Sequence, residues 1–382
     1  MDTITIGIIG AGNRGEEHIQ KYQGVDGATV KAIADIDTEA AEALADEFGI
    51  PDVYGDFEEM LADDEIDAVN ICVHNNLHEP MAVAAFETDK HVFCEKPLAG
   101  SYTDAKNIVD AADEAGKLLA VQNMKLLTPE TQAAKTFVDA GDLGDVSFAR
   151  SVYSRRRGRP YVDGYGTPAF VSKESAGGGP VFDIGVYEIG KMLYLLDNPA
   201  VERINGQVFD YTEDSLDEEL TGENAEMYQE RLDESGHDVE DAGTGAARLA
   251  DGSRLEVRAA WHAYQPDERT VVTGSKGGIA FDPVELLTTM NDYETTVDID
   301  VDGFETRHGL IRGESGYDID ERPNQYDHFV AAIRGDVEQI PTDEIALNSM
   351  LVMEGIYLSD ELDREVTAEE VADHSVSRSI DL

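Results

Sequence analysis

The sequence predicts an α/β fold, with a doubly wound parallel sheet at the N-terminus and an α+β domain with a mostly antiparallel sheet behind it. Three observations carry the prediction. Apolar, β-branched runs alternate with helical patterns through the first part of the chain, joined by short connections; parallel strands covered by helices on both faces read this way. Near Pro129 the pattern changes, and strand-like segments then follow one another with few helices between them. At 382 residues the chain also exceeds one ordinary core, so two domains are expected, 1–124 and 125–382.

The elements follow in order. Ile4–Ile9 is a buried strand ending in glycine, Arg14–Tyr22 a helix, Thr29–Ala34 a second strand and Thr38–Phe48 an amphipathic helix. Strands Ala68–Val73, His91–Cys94 and Leu118–Val121 alternate with helices from about His78 to Thr88 and over Tyr102–Ala115. A helix around Glu130–Ala140 then leads into strands at Val146–Tyr153, Val201–Phe209, Gly245–Leu249, Arg254–Ala259, Thr270–Thr273 and Ile279–Phe281. Asp210–Asp241 is acidic and poor in apolar residues, and is expected to be a long surface excursion. Helices near Gln325–Arg334 and Asp343–Asp360 close the chain.

Charge sets the setting. The chain has 80 acidic and 29 basic residues, a formal net charge of −51, with the acids spread along its whole length. Self-repulsion of that size works against a compact state in dilute buffer. At 1 M salt the Debye length is about 3 Å and most of the repulsion is screened. A high-salt cytoplasm is therefore expected, the competing reading being an ordinary acidic enzyme. So negative a surface argues against nucleic acid or an anionic membrane as partner. No window of about 18 apolar residues occurs, and the N-terminus lacks the basic and apolar regions of a secretory signal. Cys72 and Cys94 each lie in an apolar run and read as buried thiols of a reducing compartment.

Directly after the first strand comes Gly10-Ala11-Gly12-Asn13-Arg14-Gly15. A GxGxxG alone is a weak signal, but here it ends a strand and opens a helix. Gly10 permits the tight turn, Gly12 lets the main chain approach a pyrophosphate, and Gly15 allows close helix packing; the helix N-terminus supplies N–H donors. Asp35 stands twenty residues past Gly15 at the end of the second strand, where a carboxylate accepts the adenosine ribose hydroxyls. A Rossmann dinucleotide domain is the expectation. Asp35 would repel a 2′-phosphate and Ile36 offers it no partner, so NAD is favoured over NADP; Arg14 is the residue that could still accommodate the phosphate.

Two more motifs narrow the chemistry. The strand ending at Cys94 runs into Glu95-Lys96-Pro97, at the sheet edge where ligands bind. Farther on, Gly177-Gly178-Gly179-Pro180-Val181-Phe182-Asp183-Ile184-Gly185-Val186-Tyr187 places Asp183 and Tyr187 four apart, on one face if Asp183 opens a helix. With Asn75 and His78 in Val73-His74-Asn75-Asn76-Leu77-His78, and Gly141-Asp142-Leu143-Gly144, these motifs in this order resemble the Gfo/Idh/MocA family over nearly the whole chain. The family comprises glucose-fructose oxidoreductase, inositol dehydrogenase and their relatives.

That resemblance implies a large open-faced sheet in the second domain, through which such proteins often form homodimers or homotetramers. It implies that Lys96, Asp183 and Tyr187 gather around the nicotinamide, with Asn13, Arg14, Asn75, His78, Glu95 and Lys96 joining the cofactor site. Tyr187 stands where the inositol dehydrogenase pattern has histidine, which weakens an inositol reading and makes the phenol the proton carrier. An ordinary tyrosine has a pKa near 10, so a neighbouring cation such as Lys96 has to activate it. Asp183 would orient the substrate or Lys96. The expected activity is an NAD(P)-dependent dehydrogenase or reductase acting on a CH–OH group of a sugar, sugar derivative or polyol. An NAD-dependent glycosidase with transient oxidation, and a non-catalytic NAD-binding regulator, are the alternatives.

Metal binding is not expected: His74 and His78 have the spacing of a zinc pair, but His74 ends a strand and no third ligand follows closely. Lys125 lies where related chains often carry an arginine near the substrate, the alternative being an ordinary surface lysine. Arg155-Arg156-Arg157-Gly158-Arg159 is conspicuous in so acidic a chain. Either these arginines pair with surface carboxylates, or some of them, Arg155 and Arg157 with Tyr161 beside them, reach the substrate.

Overall fold

The computed structural model describes residues 3–211, 222–264, 269–301 and 324–380. The chain divides into two compact units. Unit 1 comprises the described parts of 1–123, 320–347 and 376–382, and unit 2 those of 124–319 and 348–375. The blocks 1–124 and 125–382 expected from sequence differ from this at the C-terminal end, where two segments return to unit 1. The reason lies in packing: Tyr326, Phe329 and Val330 of the helix Gln325–Ile333 are buried in one core with Ile6, Ile8 and Phe93. The helical pattern shows that this segment has an apolar face, but not which core receives it.

Unit 1 is a six-stranded, all-parallel sheet of β1 (Ile4–Ile9), β2 (Ala28–Ala34), β3 (Asp52–Tyr54), β4 (Ala68–Ile71), β5 (His91–Cys94) and β6 (Leu119–Val121). Its strand order is β3-β2-β1-β4-β5-β6, the doubly wound arrangement expected. The helices are α1 (Asn13–Tyr22), α2 (Thr38–Phe48), α3 (Phe57–Leu61), α4 (His78–Glu87) and α5 (Tyr102–Ala115). Their ends carry ordinary local signals: Asp37 accepts the Ala40 N–H at the start of α2, and Gly49 ends it in the left-handed conformation. The central strands are buried on both faces, which is why β1 reads as an apolar run rather than an alternation. The short β3 and α3 had no sequence signal strong enough to separate them from a loop.

Unit 2 holds α6 (Pro129–Asp139), β7 (Val146–Ser154), α7 (Lys173–Ala176), α8 (Val186–Leu195), β8 (Val201–Phe209) and α9 (Glu223–Ser235). The sheet continues with β9 (Ala242–Leu249), β10 (Arg254–Ala260), β11 (Val271–Gly274), β12 (Gly277–Ala280), β13 (Glu285–Met290), β14 (Tyr293–Asp298) and β15 (Val366–Thr367). The nine strands run in the order β14-β13-β12-β11-β7-β10-β9-β8-β15. All neighbours are antiparallel except β7 and β10. The excursion expected over Asp210–Asp241 contains a helix, α9, where it is described; residues 212–221 lie outside the described part. The hairpin β13–β14 also went unread, although Asn291 and Asp292, with φ of 51° and 69°, form the two-residue turn that its strand twist favours. Among the described residues no helix is long and apolar enough to cross a membrane.

Candidate active site

In unit 1 the glycine turn has the three properties its sequence implied. Gly10 has φ +107°, and a Cβ there would lie 2.6 Å from the Cys72 carbonyl oxygen. A Cβ on Gly15 would lie 1.9 Å from the Gly10 carbonyl oxygen, so α1 can rest against the turn only through glycine. Gly12 caps α1 without any side-chain bond, and a Cβ there would meet nothing within 4 Å. The main chain is open at that point, as an approaching phosphate requires. Asp35 accepts the Ala11 N–H at 2.6 Å with one oxygen and the Asp37 N–H at 2.8 Å with the other, which ties the end of β2 to the turn. Arg14 is paired with Glu17 at 2.7 Å. Asn75 opens a short 3₁₀ turn ahead of α4. These residues fit a dinucleotide.

The Glu95-Lys96-Pro97 segment is held from beneath. His18, on α1, brings Nε2 to 2.8 Å from Glu95 Oε1, and its Nδ1 lies 2.9 Å from Asn70 Nδ2 and 3.3 Å from Cys72 Sγ. The other Glu95 oxygen accepts the Lys96 N–H at 3.2 Å. Burial works to raise the Glu95 carboxyl, but the hydrogen bond and charge of His18, with Arg14 and Lys96, outweigh it and hold it low. Glu95 was expected at the cofactor; its carboxylate is instead committed to His18 and the main chain. His78 is likewise engaged within the unit. It is fully buried, with Nδ1 at 3.1 and 3.2 Å from the Pro97 and Leu98 carbonyls and Nε2 at 3.2 Å from that of Val73. Burial pushes its pKa down, so it braces the loop around Lys96 as an internal strut. Lys96 itself is 8% exposed.

In unit 2, Val181–Gly185 forms a π-helical turn that runs into α8. Asp183 therefore sits inside a wide turn rather than at an α-helix N-terminus. Its Oδ2 accepts the indole N–H of buried Trp261 at 3.0 Å. Tyr187, at the start of α8, is 7% exposed.

Around Asp183 the unit gathers cations and phenols. Arg155 donates to the Tyr165 hydroxyl at 2.5 Å and lies over the Tyr153 and Tyr165 rings, at 5.4 and 5.3 Å from their centres. Burial opposes its charge, but Tyr153, Tyr165 and the Asp183 carboxylate leave its pKa raised. Burial, then the Asp183 charge, pushes the Tyr165 phenol up, against the pull of Arg155. Lys125 lies 5.9 Å from the centre of the Tyr153 ring and 3.9 Å from Glu188, the residue after Tyr187. Glu188 is itself paired with buried Lys191 at 2.6 Å.

The arginine run thus splits. Arg155 stands in the electrostatic reach of Asp183. Arg157 pairs loosely with Asp163 at 3.9 Å and lies over Tyr228. Arg159 is wholly buried and grips both oxygens of Asp241, which makes it structural. Tyr161 was a substrate candidate; its hydroxyl donates to Glu234 of α9 at 2.9 Å and Arg231 covers its ring, so it belongs to the α9 contact.

Comparison with known proteins decides the family. A family described as "Oxidoreductase family, NAD-binding Rossmann fold" matches residues 4–123, and its partner, "GFO/IDH/MocA C-terminal domain", matches residues 131–280. The chain belongs to the GFO/IDH/MocA oxidoreductase family. A D-glucoside 3-dehydrogenase of Escherichia coli is 29% identical over 75% of this chain and 80% of its own length. An uncharacterized oxidoreductase of Rhizobium meliloti is 36% identical over 50% of this chain, which spans 55% of that protein. A D-xylose 1-dehydrogenase (NADP(+)) of Haloferax volcanii is 33% identical over 56% of this chain and 64% of its own length. Among solved structures, a levoglucosan dehydrogenase in complex with NADH and levoglucosan superposes with a TM-score of 0.76 at 23% identity, covering 96% of this chain and 100% of that one.

Within this GFO/IDH/MocA chain, sequence reading overlooked several residues that the structure places at or beneath the motifs. His18 comes three residues after Gly15, on the face of α1 turned to the sheet, and that spacing was a readable signal. Trp261 and Glu240 could not be found that way, because their partners are about 60 to 80 residues away in the chain.

Proposed function

We propose that this oxidoreductase interconverts a secondary alcohol and a ketone, or a hemiacetal and a lactone, on a sugar or polyol, with NAD as the favoured dinucleotide. The observation that carries the reading is the open main chain at Gly12 beside Asp35, in a chain whose relatives are named for glucoside and xylose dehydrogenation. The open main chain at Gly12 and the N-terminus of α1 hold the diphosphate, with Gly10 and Gly15 shaping the turn, and Asp35 accepts the adenosine ribose hydroxyls. The bound dinucleotide supplies the hydride acceptor or donor. Tyr187 takes or returns the proton of the substrate hydroxyl, Lys96 supplies the positive charge that favours the phenolate and the alkoxide, and Asp183, pinned by Trp261, orients the sugar. Arg155 and Lys125 bind further hydroxyls or a carboxylate of the substrate.

NAD is favoured because the Asp35 carboxylate stands at the turn, bound to the Ala11 N–H, and a 2′-phosphate would add like charge there. The Haloferax relative carries NADP(+) in its name, and assay with both dinucleotides tests the preference. The test is a panel of aldoses, inositols and glycosides assayed with NAD and NADP in molar potassium chloride. Lys96→Ala and Tyr187→Phe should lower kcat by roughly a hundredfold or more while the dinucleotide Kd stays within about threefold. Near-normal turnover in both variants would sink the assignment. Glycoside cleavage without net change in NAD would point to the glycosidase alternative instead.

The net charge of −51 supports a protein that works in concentrated salt. Its melting temperature should rise by more than about 10 °C from tens of millimolar to about 2 M potassium chloride. A flat melting curve across that range refutes the salt reading. Light scattering over the same series tests the assembly as dimer or tetramer.

A further inference from the structure

We infer that Glu240 is a positioning residue for the reaction: its buried carboxylate, bound to the Gly179 main chain and Tyr357, sets the geometry of the turn that carries Asp183. The inference rests on the assignment of Asp183 to the active site made above.

The contacts form a closed ring. Glu240 is 7% exposed, and both its oxygens accept the Gly179 N–H at 3.1 Å. The Tyr357 hydroxyl, from the helix Thr342–Leu362, donates to Oε1. The carbonyl of the same Gly179 accepts the N–H groups of Phe182 at 3.1 Å and Asp183 at 3.0 Å. Asp183 then accepts the Trp261 indole, and the Trp261 main-chain N–H donates at 2.9 Å to the carbonyl of Asp241, next in the chain to Glu240. Space is equally committed. A Cβ on Gly178 would lie 2.3 Å from the Tyr357 hydroxyl, and one on Gly179 would lie 2.3 Å from the Glu240 carbonyl oxygen. The turn has little freedom to settle elsewhere while Glu240 holds Gly179.

The Glu240 carboxyl is raised toward neutrality. Burial pushes it up to about 7, against the Tyr357 hydrogen bond and the main-chain amides of Glu240, Gly179 and Val181. As a carboxylate, both oxygens accept; once protonated, one oxygen carries a hydrogen that competes with those donors. The grip on Gly179 is therefore tighter above neutrality than below it. Among the described residues, the titratable and charged groups joined to it in this ring include Tyr357 from the long helix, Asp183 on the turn and, on its own segment, Asp241, which is engaged with Arg159. The Gly179–Val181 stretch presents main-chain amides.

The chain contains one tryptophan, and it is Trp261. Its emission therefore reports on the ring directly, whether or not the protein is turning over. In the full-length protein in molar potassium chloride, emission followed from about pH 5 to 9 should titrate with a midpoint near 7. Glu240→Gln should abolish that titration. Tyr357→Phe should move its midpoint upward, because a donor to the ionised form is lost. His262, which follows Trp261, is present in every variant, so differences between the curves isolate Glu240. With an active substrate, Glu240→Gln should lower kcat on the order of tenfold and remove a pH inflection near 7, with the dinucleotide Kd within about twofold. A flat wild-type curve, or a titration that survives in Glu240→Gln, overturns the inference. Normal turnover in Asp183→Asn overturns the role of Asp183 but leaves the fluorescence coupling standing, so the two failures are distinguishable.

Discussion

At Gly10–Gly15 the middle glycine, Gly12, faces open space, while at Gly177–Gly179 the last two glycines press against a tyrosine hydroxyl and a glutamate main chain. Both runs lead into helical turns, and both are glycine-rich where side chains would be in the way. In the first run the missing Cβ leaves room for something that comes from outside the protein. In the second it leaves room for Tyr357 and Glu240, which arrive from distant parts of the same unit. A ligand cradle and a packing seam can thus carry the same composition, and only the neighbours tell them apart.

Substitutions sharpen this contrast. The largest effect is expected from Gly15→Ala, whose Cβ would stand 1.9 Å from the Gly10 carbonyl oxygen. Main-chain atoms on both sides must shift, and thermal or urea unfolding should show a loss of about 3 kcal/mol or more. Next comes Glu240. Its folded pKa of about 7 lies above the ordinary carboxyl value of 4.5, so its contribution favours the folded state fully below about pH 4.5 and is lost as pH rises through 7. Relative to Glu240→Gln, wild type should lose a few kcal/mol of unfolding free energy across that window. A difference between the two that does not change with pH breaks the account of a buried, raised carboxyl.

Gly179→Ala should cost about 1–3 kcal/mol and disturb Trp261 emission without weakening the dinucleotide. The smallest change in stability, within about 0.5 kcal/mol, is expected for Gly12→Ala, which meets nothing within 4 Å; its effect should fall on dinucleotide affinity. If Gly12→Ala unfolds the protein and Gly179→Ala does not, the contrast between cradle and seam is reversed.

Much of unit 1 was legible from the sequence because its signals are local. β1, the glycine turn, α1 and Asp35 follow one another within 35 residues, and each is specified by its own neighbours. The hairpin β13–β14 had a local signal too, in Asn291-Asp292, but its strands mix apolar and polar residues too irregularly to stand out. The internal partners of Glu95 and His78 were not legible, for a different reason. Motif position places both beside Lys96, but it does not say which way a side chain points, and both turn into unit 1 to satisfy buried partners. Arg159 follows the other reading of its cluster, pairing with a carboxylate: a buried arginine needs one, and Asp241, 82 positions on, supplies it.

By itself, the sequence determined the parallel and antiparallel sheets, the dinucleotide turn and the acidic character of the surface. Strand periodicity, glycine spacing and charge act over a few residues or over none in particular, so no fold is needed to read them. Tertiary structure decided where the C-terminal segments pack, which arginine is buried and which stands near Asp183, and what holds the Asp183 turn. Those outcomes depend on burial, and burial is settled by residues far apart in the chain competing for the same partners and the same space.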